Sequence, residues 1–264
     1  MIFHPKQNKS PLRYPGGKTR ACQRLDDILS EHFDISEFET VLSPFFGGGS
    51  FEFYLQNKYD WRICANDKFT PLYTFWKTCK NKKELLCRDL SKHLGTIDKD
   101  KFKTFRENIM EERDDIKQSV MFFVLNRCSF SGSTLSGGFS LESSTKRFTS
   151  SSIDRVENMD LSNFDICNFD FEEFLDKHPN GFVFADPPYS LKDGSKLYGK
   201  TGDLHTTFDH ERLFKCLSKR KNWLLTYNNS EYIKNLYKDF LIIETSWSYG
   251  MNKSKKSSEI VIVG

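Results

Sequence analysis

Short apolar runs recur along the chain, and each stops at a carboxylate, an amide or a glycine turn. Thr40-Val41-Leu42-Ser43 runs into Pro44-Phe45-Phe46-Gly47-Gly48-Gly49-Ser50, and Trp61 to Asn66 stops at Asp67. Asp165 to Phe169 stops at Asp170, Gly181 to Ala185 at Asp186-Pro187-Pro188-Tyr189, and Trp223 to Tyr227 at Asn228. Runs this short and this continuously apolar, bounded by turn formers, are the mark of strands buried on both faces. Between them lie helix-like stretches over about residues 20–32, from 51 onward, and over 171–177, 209–220 and 231–238. Strands alternating with helices predict an α/β fold with a Rossmann-like sheet. Residues 240–247 and 259–263 predict an antiparallel hairpin at the sheet edge, with a basic tip over 248–258 that holds Lys253, Lys255 and Lys256.

The pattern changes from about Lys68 to Asp160. Alternating charged and apolar residues predict helices over about 82–93, 99–112 and 115–125, and a further one near 152–159. Residues 126–140 between them are rich in Ser and Gly with interleaved aromatics, which predicts a long loop or hairpin. The chain therefore divides into an α/β unit from residues 1–68 and 161–264, and an inserted, mainly helical lobe from residues 69–160.

Composition narrows the function. With 264 residues there is enough chain for one full core and a smaller appended lobe. The net charge of +3 is too mild to predict nucleic-acid binding by itself, so local basic clusters must carry that argument. The seven cysteines are dispersed without a C-x-x-C pair, which reads as reduced thiols in a cytosol-like compartment and argues against a structural metal. No signal-peptide or membrane-spanning pattern is present, so a cytoplasmic protein is expected.

Candidate chemistry concentrates where the runs end. Pro187 and Pro188 fix φ and supply no backbone donor, so the chain leaves the fourth run in a stiff turn. In an open α/β sheet, ligands bind at that end of the strands. The turn offers an acceptor-only carboxylate (Asp186), a bare carbonyl (Pro187) and a ring (Tyr189), a set that suits a planar ring with an exocyclic amino group; an ordinary strand-terminating turn is the plainer alternative. Gly16-Gly17-Lys18-Thr19 is not a phosphate loop, because that motif needs glycine at position 12, which is Leu12. Instead it is a tight turn with Lys18 placed to meet a carboxylate. Asp67 follows the glycine turn at the interval at which dinucleotide folds place a ribose-binding acid. Asp170 can accept from an adenine amino group while Phe171 covers the ring, or can simply cap the next helix. In the lobe, Arg127, Phe130, Ser131, Lys146 and Arg147 have the composition of a groove-reading surface, with Phe130 as a wedge for a vacated base stack. Arg127 could equally brace the loop.

Taken in order, Tyr14-Pro15-Gly16-Gly17-Lys18, Pro44 to Ser50, the strand-end Asp67, the inserted lobe and Asp186-Pro187-Pro188-Tyr189 resemble the Dam-type (D12 class, class alpha) adenine-N6 DNA methyltransferases. The resemblance runs from Leu12 to Val263 and is closest to the restriction-modification enzymes of bacteria and large viruses. It implies S-adenosylmethionine as cofactor, with Tyr14 and Lys18 at its methionine part and Phe46, Gly47 and Gly49 lining its pocket. Asp67 would take the ribose hydroxyls, and Asp170 with Phe171 the adenine. Asp186, Pro187, Pro188 and Tyr189 would hold the target base, with Asp186 also beside the cofactor. Double-stranded DNA is the implied partner, with Lys253 and Lys255 as further phosphate contacts, and a cognate restriction endonuclease is a second. Ser43 departs from the family, which usually has Asp or Glu there. The same turn also serves adenine in RNA and N4 of cytosine, and an inactive DNA-binding relative is a further alternative.

Overall fold

A computed structural model describes residues 8–14, 16–189, 208–246 and 258–264. Lys253, Lys255 and Lys256 at the hairpin tip, and the polar stretch 190–207, lie outside the described residues. The first half builds α1 (Cys22–His32), β1 (Thr40–Ser43), α2 (Ser50–Tyr59) and β2 (Arg62–Asn66). Six helices follow before the next strand: α3 (Thr70–Asn81), α4 (Lys83–Ser91), α5 (Lys99–Asn108), α6 (Asp115–Cys128), α7 (Leu141–Lys146) and α8 (Ser150–Glu157). The chain then returns to β3 (Phe164–Cys167), α9 (Phe171–Lys177), β4 (Phe182–Ala185), α10 (His210–Ser218), β5 (Trp223–Asn228), α11 (Glu231–Leu236), β6 (Leu241–Thr245) and β7 (Glu259–Val263).

The helices start where side chains satisfy their orphan N–H groups: Asp98, Asp114, Asp170, Asp209 and Ser230 each accept a backbone N–H in the first turn of the helix they precede. The sequence pattern does not predict the helix Thr70–Asn81, because Lys77, Lys80 and Lys82 obscure the spacing. Leu72, Phe75, Trp76 and Cys79 are nevertheless buried at helical intervals and hold α3 in place.

The described strands form one seven-stranded sheet in the order β3-β2-β1-β4-β5-β7-β6. β7 runs antiparallel to both β5 and β6, and the remaining pairings are parallel. This is a doubly wound, Rossmann-like architecture, as the alternation of runs and helices predicts. Because side chains alternate across a strand, neighbouring residues part company. Val41, Ile63, Phe182, Phe184, Leu224 and Val261 join the core that also contains α1 and α2. Leu42, Cys64, Val183, Ala185, Leu225 and Ile262 join a second core with α9, α10 and α11. The helices between β2 and β3 share the first core, so the division at residues 69 and 160 follows chain order rather than a gap in packing.

All seven cysteines are free thiols. No described helix is long and apolar enough to cross a membrane.

Candidate active site

Strand order reverses between β1 and β4, and successive crossovers leave a crevice at the carboxyl ends of these two strands. From the end of β4, Asp186 projects into a knot of donors. The buried ammonium of Lys18 (3% exposed), on the turn before α1, lies 2.7 Å from Oδ1 and 2.6 Å from Oδ2. Thr226 on β5 donates its hydroxyl to Oδ1 at 2.6 Å, and the Tyr189 hydroxyl lies 3.1 Å from the same oxygen. The Lys18 Nζ also donates to the Gly16 carbonyl at 3.0 Å and lies 5.1 Å from the centre of the Tyr189 ring. From β7, the buried Glu259 accepts from the Tyr189 hydroxyl at 2.9 Å and steadies the ring. Pro187 is buried and Pro188 half-buried, so the turn is packed as well as stiff.

Ser43, the last residue of β1, is wholly buried and donates its hydroxyl to Glu52 Oε1 at 2.5 Å. Glu52 lies in the first turn of α2 and is 2% exposed. Burial pushes its carboxyl up to about 7 against the pull of the Ser43 bond, with the Asp186 charge adding to the rise and Lys18 opposing it. A carboxylate is thus present behind position 43 after all, contributed by the helix instead of the strand.

On the β2 side, Asp67 is half-buried and accepts two backbone N–H groups, Gly47 at 3.0 Å and Phe69 at 2.9 Å. Desolvation pushes it up to about 6, against those two bonds. Gly47 and Gly49 have φ of +52° and +66°, and side chains there would strike the rings of Tyr14 and Phe46 at 2.8 Å and 2.4 Å. Tyr14 therefore lies on the glycine turn. Phe46 does not line the crevice as expected: its ring is buried among Phe53, Trp76 and Phe164, because the turn closes over it. Its part is to support the loop.

At the end of β3, Asp170 caps α9 and is also gripped by Arg212 at 2.7 and 2.8 Å and by Lys68 at 2.9 Å. These partners hold its carboxyl below the ordinary range although burial works the other way. The Arg212 guanidinium stacks 4.3 Å from the centre of the Phe171 ring. Phe45, Phe171 and Phe208 form a triangle with ring centres 5.5 Å apart beside it.

Residues 69–160 meet the crevice at several points, and Trp76 of α3 donates its indole N–H to the Gly47 carbonyl at 3.0 Å. Asn126 near the end of α6 is buried and clamps the Arg13 peptide, accepting its N–H at 2.9 Å and donating to its carbonyl at 2.8 Å. Arg127 is 7% exposed and donates to the carbonyls of Arg147 at 2.7 Å and Pro11 at 3.1 Å. It is the brace, not a surface contact, because packing of α6 against the amino-terminal segment turns it inward. Phe130 is 70% exposed, and Ser131 lies in the same 3-10 turn, Phe130–Gly132. Lys146 is exposed and paired with Glu142 at 3.1 Å, and Arg147 is exposed.

The sequence profile of the family described as D12 class N6 adenine-specific DNA methyltransferase matches residues 14–251. The chain belongs to that family. It is also 27% identical over 258 residues to the type II methyltransferase M.MjaIII of Methanocaldococcus jannaschii, covering 88% of each chain. A second relative, the type II methyltransferase M.CviBI of Paramecium bursaria Chlorella virus NC1A, is 22% identical over 256 residues, covering 91% of each.

Several residues of this methyltransferase's crevice escape sequence reasoning. Thr226 sits inside an apolar run, where a lone hydroxyl is the available signal. Asn126 is hidden in a serine-rich stretch, and Glu259 begins a strand. Arg212 is an ordinary helix residue until its pairing with Asp170 is seen. Glu52 carries a similar hint, being an acid among the apolar residues Phe51, Phe53 and Leu55.

Proposed function

We propose that this protein is a site-specific DNA adenine-N6 methyltransferase that transfers a methyl group from S-adenosylmethionine to an adenine flipped out of duplex DNA. The observation that carries the reading is the single carboxylate at the end of β4, beside the reversal of strand order, flanked by the Tyr189 ring and two prolines. Inside a duplex the adenine amino group is out of reach, and extruding the base costs roughly a few kcal/mol. Asp186 and the Pro187 carbonyl accept its two amino hydrogens, and Tyr189 stacks on the ring. Two acceptors favour a tetrahedral nitrogen with its lone pair free, so the reaction needs positioning more than a strong base.

The crevice fits the cofactor. Asp67 has two backbone partners and remains half-buried, which leaves carboxylate lone pairs for a ribose diol. Lys18 and Tyr14 suit the methionine part and Phe171 the adenine, while Asp170, already gripped by Arg212, Lys68 and the Glu172 N–H, fixes that end of β3. When bound, S-adenosylmethionine would supply a methyl group on a cationic sulfur that keeps the bonding pair as the methyl passes to the amino nitrogen, whose surplus proton would go to water. Residues 69–160 act as the target-recognition unit, with Phe130 filling the vacated stack and Lys146 and Arg147 meeting phosphates. A cognate restriction endonuclease acting on the same site is the further partner of this reading.

Plasmid DNA from cells expressing the protein should contain N6-methyladenine in one sequence context, and none when Asp186→Ala replaces the wild type. Methylation of structured RNA but not duplex DNA, or of cytosine N4, would overturn the reading.

A further inference from the structure

We infer that Lys18 holds the base-binding carboxylate shut in the free enzyme, and that the carboxylate of the cofactor's methionine part draws it away, so that adenine docks only after the cofactor. The inference rests on the reading of Asp186 as the group that receives the target amino group.

An ionised carboxylate offers about four lone-pair sites. At Asp186 the described contacts crowd Oδ1, which meets Lys18, Thr226 and Tyr189, while Lys18 is the described contact on Oδ2 and so bridges both oxygens. The Lys18 ammonium is a hydrogen-bearing nitrogen on this carboxylate, over the ring that would stack the base. It occupies the position that a target amino group requires. A charge-assisted bond is roughly twice as strong as one from a neutral donor, so the adenine amino group does not displace a buried ammonium. An anion can. Lys18 has the means to respond, since its charge sits on a four-carbon stem from a turn in which Gly16 has φ of +73°. The carboxylate of the incoming cofactor is the anion that attracts the ammonium. Free Asp186 then keeps Thr226 and Tyr189, which orient it, and gains room for the base. A ligand shifts such an equilibrium only through its differential affinity for the two states, and here the difference lies in the methionine carboxylate.

The test uses the full-length protein and a duplex in which 2-aminopurine stands next to the adenine found methylated in plasmid DNA, so that the target keeps its 6-amino group. Fluorescence reports extrusion without any methyl transfer. With wild type, we expect at least a threefold rise with S-adenosylhomocysteine, and no rise with protein alone or with saturating 5′-methylthioadenosine, which lacks the carboxylate. Lys18→Met should give at least half of the full rise with no cofactor, and should bind S-adenosylhomocysteine about tenfold more weakly. Equal extrusion by wild type with and without S-adenosylhomocysteine overturns the inference, as does an equal response to 5′-methylthioadenosine. A Lys18→Met protein that binds duplex yet stays dark without cofactor also overturns it; if that variant does not fold, the wild-type arms decide. Absence of N6-methyladenine in plasmid DNA defeats the functional reading and this inference together, whereas a methylating enzyme that extrudes the base unaided defeats only the role of Lys18.

Discussion

The ends of β4 and β2 each bring an aspartate to the crevice, and the two are held in opposite ways. Every described hydrogen bond to Asp186 comes from a side chain, one of them a lysine on a glycine-containing turn. Asp67 is held by backbone N–H groups of the glycine turn and of Phe69. Side-chain donors can be exchanged for a ligand's donors, whereas backbone donors cannot leave without unmaking the loop. The β4 end is therefore built to change partners during a reaction, and the β2 end to keep its geometry while something binds.

Removing the exchangeable acceptor should have the largest effect. Asp186→Ala is expected to lower single-turnover methylation by about three orders of magnitude, the range seen when a group acting on transition-state charge is deleted. Cofactor affinity measured by calorimetry should stay within about threefold. A loss of only tenfold would mean that Pro187 and Tyr189 position the base without the carboxylate, and the contrast between the two strand ends would collapse.

Asp67→Asn comes next and should separate binding from chemistry. It weakens two hydrogen bonds to a charged acceptor, each worth about 1.5–3 kcal/mol, so cofactor affinity should fall about ten- to a hundredfold while methylation at saturating cofactor falls far less. Because burial raises this carboxyl to about 6, it is ionised at pH 8 and protonated below about pH 6. Wild-type cofactor affinity should therefore decline as pH falls through 6, and the Asn variant should lack that component. A profile identical in both proteins would remove Asp67 from the cofactor.

Thr226→Val tests the exchangeable shell more gently. Asp186 keeps Lys18 and Tyr189 but loses the hydroxyl at 2.6 Å that fixes the direction of Oδ1. Methylation should fall about tenfold with cofactor affinity unchanged, since one hydrogen bond to a charged group contributes on the order of 1.5 kcal/mol. An unchanged rate would show that Tyr189 orients the carboxylate without Thr226.

What the sequence discloses follows the same division. The strand ends are legible because burial on both faces forces continuous apolar runs, and because Asp-Pro-Pro and Gly-Gly-Gly interrupt them abruptly. Asp67, Asp170 and Asp186 are found that way. Partners are half legible: the glycine turn places Lys18 to meet a carboxylate, but nothing local says that it is Asp186, 168 positions further on. Arg127 and Phe130 are three positions apart with the composition of one surface, yet the first is buried against backbone carbonyls and the second is exposed. Tertiary packing decides which way such side chains turn. Phe46 misleads for the same reason, since a phenylalanine before glycines reads equally well as pocket wall or as core.

A further carboxylate, Glu52, lies behind β1 and falls in neither class, having Ser43 as its hydrogen-bonded side-chain partner and no ion pair of its own among the described residues. Its carboxyl is raised from an ordinary 4.5 to about 7, chiefly by burial. Between those values the folded protein binds more protons than the unfolded chain, so this group's contribution to stability declines as pH rises from 4.5 through 7 and is least favourable above 7. Glu52→Gln keeps the shape and an acceptor for the Ser43 hydroxyl but cannot ionise. Without cofactor, the wild type should lose a few °C of Tm between pH 5.5 and pH 8 through this group, and the variant should lack that part of the decline. If the cationic cofactor sits near this carboxylate, adding S-adenosylmethionine should raise the Tm more at pH 8 than at pH 5.5 for the wild type, with a smaller difference for Gln. Parallel melting curves for the two proteins at every pH, with and without cofactor, would make Glu52 a neutral packing residue and leave Asp67 and Asp186 as the carboxylates that matter.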